Sequence, residues 1–203
     1  MELTILGASG ATGRELVQQA LARGHRVIAV ARDPAKIAGP ETAMLKKITA
    51  DVRDPASLAA AIGPHSVVLS ALGVTDVPGV LHAGAQALVT LKPARILWMG
   101  AFGAGASAEA AGWATRTLLS LMGDRLKDKV AGDTQILSAG GVIFHAGPLS
   151  NGPASGSRRT VALVQAPRQF FPSRVSRATV AAAMLDEAEQ ARFPGGIVIP
   201  LER

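Results

Sequence analysis

Short apolar runs alternate with longer amphipathic stretches along the 203 residues of the chain. Most runs are apolar almost without interruption, which is typical of strands that are buried on both faces of a sheet. The predicted strands are LTIL (3–6), HRVIAVAR (25–32), AMLKKITAD (43–51), SVVLSALG (66–73), ARILWMG (94–100), GVIFHAG (141–147) and GGIVIP (195–200), with RTVALVQ (159–165) as a further candidate.

Between the runs, apolar residues recur at helical spacing. One helix is predicted at 12–24 and ends at Gly24, a natural C-cap. Another is predicted at 54–63, with Asp54 as its N-cap and Pro55 at the first helical position. The remaining predicted helices are about 80–91, about 107–121, 124–139 and 176–190, the last with Ser176 as its N-cap.

The alternation of strand and helix predicts a parallel sheet covered on both faces, that is, a doubly wound Rossmann-type α/β fold. We find no internal repeat and no long linker, so we expect residues 1–203 to form a single domain. Hydrophobic residues make up 48% of the chain and charged residues 18%, which is a globular composition.

Composition also excludes several kinds of chemistry. There is no cysteine, so disulfides, thiolate metal sites and a cysteine nucleophile are excluded. His25, His65 and His82 have no metal-ligand spacing, and we predict no metal site. The N-terminal sequence is not that of a signal peptide, and no apolar run approaches the length of a membrane span. We therefore expect a cytoplasmic protein that does not contact a membrane.

The net charge is +6, from 21 Lys and Arg against 15 Asp and Glu. A basic surface can attract nucleic acid, but these cations are scattered and few aromatic residues are available for stacking on bases. An anionic cofactor explains the charge more simply. Nucleic-acid binding therefore ranks last among the functions we consider.

Three glycines, Gly7, Gly10 and Gly13, lie three residues apart in LTILGASGATGREL (3–16), between the first strand and the first helix. In a doubly wound fold this turn is where a pyrophosphate rests on a helix N-terminus. Gly7 would form the tight turn, Gly10 the close approach to phosphate, and Gly13 the packing of helix on strand. The phosphate loop of NTPases is excluded, since no Gly-Lys-Ser/Thr follows. The predicted cofactor-binding residues at this turn are Gly7, Ser9, Gly10, Ala11, Thr12 and Gly13.

The motif GASGATG followed by VARDP resembles the atypical short-chain dehydrogenase/reductase superfamily. The similarity is greatest to small NAD(P)H-binding proteins grouped with biliverdin-IXβ/flavin reductases and NmrA-like regulators. It continues through DVRDPASLAAAI, VVLSALG, RILWMGAFGAG, LKDKVAGDTQIL, FHAGPLSNGP and RVSRATVAAAML, and so covers nearly the whole chain. The resemblance implies a nicotinamide dinucleotide as cofactor. It also implies that Asp51 and Val52 edge the adenine, and that Ala71, Leu72 and Gly73 lie along the phosphate and ribose.

The end of the second predicted strand indicates which dinucleotide is preferred. NAD-selective folds place an acid there to hold the ribose 2′-hydroxyl, whereas this chain has Ala31-Arg32. A guanidinium suits a 2′-phosphate through paired hydrogen bonds. Asp33 follows, but an Asp-Pro pair more often begins a turn than binds ribose. We predict NADP(H) in preference to NAD(H).

The usual ketone-reducing residues of this superfamily are absent. The chain has no tyrosine, and Arg125 stands four residues before Lys129, where the catalytic tyrosine would be expected. Gly100 and Ala101 follow the fifth strand, where a serine is common. The remaining catalytic candidates are Lys129, which by resemblance would bond the nicotinamide ribose, His145 as a proton donor, and Ser70 as an orienting hydroxyl.

Two functions remain open. The first is an NADPH-dependent reductase of a flat conjugated acceptor such as a flavin, a quinone or a related carbonyl, which needs orientation more than a dedicated acid. Apolar surface for such a small-molecule acceptor could come from Phe102, Trp113, Phe144 and Phe170. The second is a non-catalytic NADP(H)-binding redox sensor of the NmrA-like type. For either function we expect a monomer or a homodimer.

Overall fold

The computed structural model describes residues 1–73, 77–112, 115, 117, 121, 123–167 and 172–202. The strands are β1 Glu2–Leu6, β2 Arg26–Ala31, β3 Leu45–Thr49, β4 Val67–Ser70, β5 Arg95–Ala101, β6 Val142–Ala146, β7 Leu149–Ser150, β8 Arg159–Ala162, β9 Val175–Ser176 and β10 Gly196–Leu201. The α-helices are α1 Ala11–Ala22, α2 Pro55–Leu58, α3 Val80–Leu91, α4 Asp124–Ser138 and α5 Arg177–Gln190. Single 3₁₀ turns occur at Pro34–Lys36, Gly105–Ser107 and Leu163–Gln165.

The central sheet has the strand order β3-β2-β1-β4-β5-β6-β10-β8. All neighbouring strands in it are parallel except β8, which pairs antiparallel with β10 at one edge. The order reverses between β1 and β4, and this switch point is where doubly wound folds bind ligands. The short strands β7 and β9 form a separate parallel pair. The predicted doubly wound fold is confirmed.

Both faces of the sheet are buried, which explains the nearly continuous apolar runs. On β5, Leu97 and Met99 contribute to the core layer that contains residues of α1 and α5. Ile96 and Trp98 alternate with them and contribute to the layer that contains residues of α2, α3 and α4. Every position along the middle of this strand is therefore apolar.

The predicted element boundaries differ from the structure at four main places. The helix predicted at 54–63 spans only Pro55–Leu58, and the carbonyl of Ala61, beyond its end, accepts from Thr4 Oγ1. Its N-cap is as expected, since the Asp54 side chain accepts from the Ala56 N–H.

The other differences lie at the end of α1 and in two later stretches. Arg23, not Gly24, is the C-cap of α1, and Gly24 follows with a φ of 77°. The strand candidate 159–165 ends at Ala162 and continues as a 3₁₀ turn. The predicted helix 107–121 starts in a 3₁₀ turn at Gly105–Ser107, and residues 113–114, 116 and 118–120 of it lie outside the described residues.

Helices α3 and α4 are joined at the end that faces the carboxyl edge of the sheet. The Asp128 carboxylate on α4 accepts from the backbone N–H groups of Leu81 and His82 at 3.1 and 2.9 Å. It thereby caps α3, whose own N-cap, Gly79, has no side chain to do so. Gly132 adds to the close packing, since a Cβ there would lie 3.1 Å from the Leu81 carbonyl oxygen.

No helix in the described part of the chain is long and apolar enough to cross a membrane. This agrees with the absence of a long apolar run in the sequence. The assignment to the cytoplasm stays a prediction.

The cap of α5 provides a test of local stability. The Ser176 side chain accepts from the Thr179 N–H at 3.0 Å and donates to the Pro153 carbonyl at 3.0 Å, so it fixes both α5 and the loop before it. We expect Ser176→Ala to lower the free energy of unfolding by about 1–2 kcal/mol in urea denaturation. Ser157→Ala, at an exposed loop position, is the control and should change it by less than about 0.5 kcal/mol. Equal losses in the two variants would contradict the assigned cap.

Candidate functional site: a dinucleotide cleft

A cleft of about 160 Å³ opens at the carboxyl ends of β1, β2, β3 and β4. It lies at the switch point of the strand order. Most of the predicted cofactor residues line it, namely Gly7, Ser9, Gly10, Arg32, Asp51, Val52, Ala71, Leu72 and Gly73. The others, Ala11, Thr12 and Gly13, form the first turn of α1 and do not line it. Sequence reasoning missed the apolar residues that complete the lining: Leu6, Val30, Ala31, Ala50 and Val80.

The glycine turn brings the start of α1 against the end of β1. Gly7 has a φ of 73°, which favours glycine, and its carbonyl accepts from the Gly10 N–H at 3.0 Å. A Cβ on Gly13 would lie only 2.1 Å from the Gly7 carbonyl oxygen, so no other residue fits there. Gly10 caps α1 without a side chain, and the first turn contains no acid. The cleft therefore faces an N-terminus whose partial positive charge is not offset by a side chain.

Arg32 and Asp51 lie on the side of the cleft formed by β2 and β3. Arg32 is exposed and forms no hydrogen bond or ion pair with any residue that the structure describes. Arg53 donates to both carboxylate oxygens of Asp51, and these hydrogen bonds, with a smaller contribution from the charge of Arg32, lower the pKa of Asp51 to about 2. Asp51 is therefore ionised at neutral pH.

Ser70 ends β4, directly before the cleft residue Ala71. Its hydroxyl is buried and has no hydrogen-bond partner in the described part of the chain. A buried hydroxyl without a partner costs free energy that a ligand can recover by bonding it. Ser70 itself does not line the cleft. The close approach of Gly13 to the Gly7 carbonyl and the presence of Arg32, which has no partner among the described residues, in the lining fit a nicotinamide dinucleotide. The role of Ser70 stays a prediction.

Lys129 lies on α4 next to Asp128, which caps α3. It is not among the residues that line the cleft, although Val80, the first residue of α3, is. The Lys129 side chain is 8% exposed and forms no hydrogen bond with any described residue. Burial lowers the pKa of Lys129, and the nearby carboxylates of Asp133 and Asp128 oppose the shift in part. A buried amine of this kind is typical of functional sites.

His145 lies at the centre of a buried polar network. Its Nδ1 is 2.6 Å from Ser107 Oγ and its Nε2 is 3.0 Å from Asp133 Oδ2, while Trp98 Nε1 donates to Asp133 Oδ1 at 2.9 Å. The ring fills the space left by Gly100, where a Cβ would lie 2.3 Å from the imidazole Cδ2. The residue that replaces the usual serine is thus a glycine that makes room for this histidine.

His145 itself is fully buried, and both ring nitrogens already have partners. This geometry gives it no direct contact with a substrate, so its predicted role as a proton donor receives no support from its position. The network residues Ser107 and Asp133 were missed in the sequence. The spacing of Asp133, four residues after Lys129, could have indicated that both lie on one face of α4.

The aromatic residues that were expected to hold an acceptor are dispersed. Phe144 belongs to the core layer packed on α1 and α5, so its predicted role as acceptor surface is wrong. Phe102 borders a smaller cleft with Gly147, Pro172 and Leu201, at the carboxyl ends of β5, β6 and β10. Trp113 and Phe170 lie outside the described residues.

The fold and the cleft define a dinucleotide-binding fold of the Rossmann type. The chain belongs to a family of NAD(P)H-binding proteins whose pattern matches residues 7–191. The predicted membership of an NAD(P)H-binding family is confirmed.

Among proteins of known sequence, an uncharacterised protein YwnB of Bacillus subtilis is 32% identical over 108 residues. The match covers 51% of this chain and 48% of that protein, so the chain aligns with about half of that relative.

Solved structures share the complete fold at low sequence identity. A short-chain dehydrogenase/reductase of Veillonella parvula in complex with NADP has a TM-score of 0.81 at 17% identity, over 99% of this chain and 94% of that one. ChuY, an anaerobillin reductase of Escherichia coli O157:H7, has a TM-score of 0.77 at 20% identity, over 100% of this chain and 97% of that one. At these identities the similarity establishes the fold alone.

The burial of Lys129 predicts that this residue lowers stability. Because its pKa in the folded chain lies below the ordinary 10.5, the unfolded chain binds the proton more tightly. The penalty is complete below the lowered pKa and disappears as pH rises to about 10.5. We expect Lys129→Met to raise the free energy of unfolding by roughly 1–3 kcal/mol at neutral pH, with a smaller gain at alkaline pH.

The control for this change is Lys127→Met on the same helix. Lys127 is exposed, so its replacement should change the free energy of unfolding by less than about 0.5 kcal/mol at any pH. The measurement is urea denaturation of the three proteins at several pH values. A loss of stability in Lys129→Met at neutral pH would mean that the ammonium is satisfied in the folded chain.

Proposed function

We propose that the protein is an NADPH-dependent reductase that directs hydride to a flat conjugated acceptor such as a flavin, a quinone or a related carbonyl. The observation that carries the proposal is the cleft at the switch point, which is lined by an uncapped helix N-terminus and by Arg32, a cation without a partner among the described residues. The buried Ser70 hydroxyl, which also has no partner among them, lies directly before the lining residue Ala71. These groups match the pyrophosphate, the 2′-phosphate and the polar edge of a nicotinamide dinucleotide.

The preference for NADPH rests on Arg32. Its guanidinium is exposed at the end of β2, lines the cleft and is not engaged by any described residue. No acid stands at this position to accept hydrogen bonds from a ribose 2′-hydroxyl. Asp33, which follows, is occupied in capping the 3₁₀ turn and lies 3.5 Å from Lys36.

The proposed hydride transfer requires little acid catalysis from the protein. When bound, a reduced nicotinamide supplies the hydride, and a flavin or quinone accepts it without prior protonation. Lys129, which follows the Asp128 that caps α3, would donate a hydrogen bond to the ribose and provide positive charge beside the reacting groups. The Asp133–His145–Ser107 network holds α4 against β5 and β6 and so fixes the helix that carries Lys129.

The proposed reductase activity draws further support from one structural relative. ChuY is described as an anaerobillin reductase, and its fold covers this chain completely. A reductase on the same fold is consistent with the reductase activity proposed here. The alternative is a redox sensor that binds NADP(H) without turnover, which the lack of tyrosine favours.

The cofactor proposal predicts a measurable preference. In calorimetric titrations the protein should bind NADPH more tightly than NADH by roughly tenfold to a hundredfold, the value of charge-assisted hydrogen bonds to a phosphate. Arg32→Ala should remove most of that difference while leaving NADH affinity nearly unchanged. Arg26→Ala, at the opposite end of β2, is the matched control and should preserve it. Failure of the wild-type protein to bind either nucleotide would end the proposal.

The catalytic proposal predicts turnover that depends on an acceptor. Oxidation of NADPH, followed at 340 nm, should accelerate on addition of a flavin or quinone. The rate of this oxidation should depend only weakly on pH near neutrality. Lys129→Met should lower kcat by at least about tenfold, since it removes a positioned charge. Tight NADPH binding without oxidation across a panel of flavins, quinones and conjugated carbonyls would instead favour the sensor.

A further inference from the structure

We propose that Arg53 is a specificity-determining residue of the cleft, which holds the Asp51 carboxylate so that Arg32 stays available for a 2′-phosphate. The inference rests on the proposed function, since it assumes that the cleft holds a dinucleotide. It assigns a role in cofactor choice to a residue that does not itself line the cleft.

Three hydrogen bonds join Arg53 to the Asp51 carboxylate. Arg53 Nε donates to Asp51 Oδ1 at 3.1 Å, Arg53 Nη2 donates to Oδ2 at 2.7 Å, and the Arg53 backbone N–H donates to Oδ1 at 3.0 Å. The first two form the paired arrangement in which a guanidinium matches a carboxylate. The Asp51 backbone is also fixed, because its N–H donates to Ser57 Oγ at 3.1 Å. The carboxylate therefore has a defined direction and a dedicated cation.

Asp51 is the acid in this cleft whose negative charge would repel a 2′-phosphate. It lines the cleft together with Arg32, and the charge of Arg32 acts on it strongly enough to help lower its pKa. Even so, no ion pair joins the two among the described residues, and both oxygens of Asp51 accept hydrogen bonds from Arg53. Without Arg53, an ionised carboxylate would be free to pair with Arg32 and to repel a phosphate that carries nearly two negative charges.

A contribution to folding does not account for this pair. The side chains of Arg53 and Asp51 are 49% and 32% exposed, and ion pairs with this exposure contribute little to stability. Removal of Arg53 should therefore leave the fold intact, so the binding of nucleotides can be compared directly between variants.

The test isolates the 2′-phosphate by using two fragments, adenosine 2′,5′-bisphosphate and adenosine 5′-monophosphate. The ratio of their dissociation constants is measured by calorimetry at low salt in the wild type, Arg53→Ala, Arg53→Lys and Arg53→Ala/Asp51→Asn. We expect Arg53→Ala to reduce the preference for the bisphosphate by roughly three- to tenfold, the size of a screened charge interaction at a half-exposed site. Arg53→Lys should retain part of it, and the double variant should recover it.

The recovery in the double variant is the decisive result, because the proposal assigns the loss to the freed carboxylate. If Arg53→Ala keeps the wild-type ratio, or if Asp51→Asn does not restore it, the inference is overturned while the cofactor proposal stands. If the wild type itself does not distinguish the two fragments, the cofactor preference fails and this inference fails with it. Urea denaturation of each variant verifies that the fold is unchanged.

Discussion

The contact between Gly13 and the carbonyl oxygen of Gly7 is the constraint on which the cleft depends. The gap left for a side chain at Gly13 is so small that α1 must begin directly against the turn that ends β1. That position directs the start of α1, capped only by Gly10, toward the carboxyl edge of the sheet at the switch point. The apolar ends of the strands then form the floor of the cleft, and the polar residues that follow them form its rim.

A second constraint, the pair of carboxylates on α4, fixes the other side. Asp128 binds the N-terminus of α3, and Asp133 binds Trp98 and His145 in the sheet layer, so α4 is held at two points around Lys129. Both carboxylates are near enough to oppose the loss of charge on Lys129, yet burial dominates. Asp128 and Asp133 thus stabilise α4, whereas the burial of Lys129 between them lowers stability. Such a cost is common where a residue is kept for function.

The fold class, the positions of most strands and helices, and most of the cleft could be predicted from the sequence because they depend on local signals. Apolar runs, N-caps and the glycine spacing act within a few residues, so Gly7 and Arg32 could be assigned to a cleft before any contact was known. The network around His145 could not, since it joins a helix, two strands and a 3₁₀ turn that are distant in sequence. The role of Arg53 could not be predicted either, because the pattern of residues along the chain does not show that its guanidinium pairs with the Asp51 carboxylate.

The packing near the end of β5 bears on two questions: what replaces the usual tyrosine and serine, and which class of acceptor the site suits. Gly100 leaves room there, and the His145 ring that fills it is bonded at both nitrogens to Ser107 and Asp133. A ring held in this way stabilises the packing of α4 but has no free N–H to direct at a substrate. In the proposed function, Lys129 would then act at this edge without a partner acid of the usual kind. A site with such groups is suited to acceptors whose reduced form is stable as an anion, and conjugated rings meet that condition better than isolated ketones.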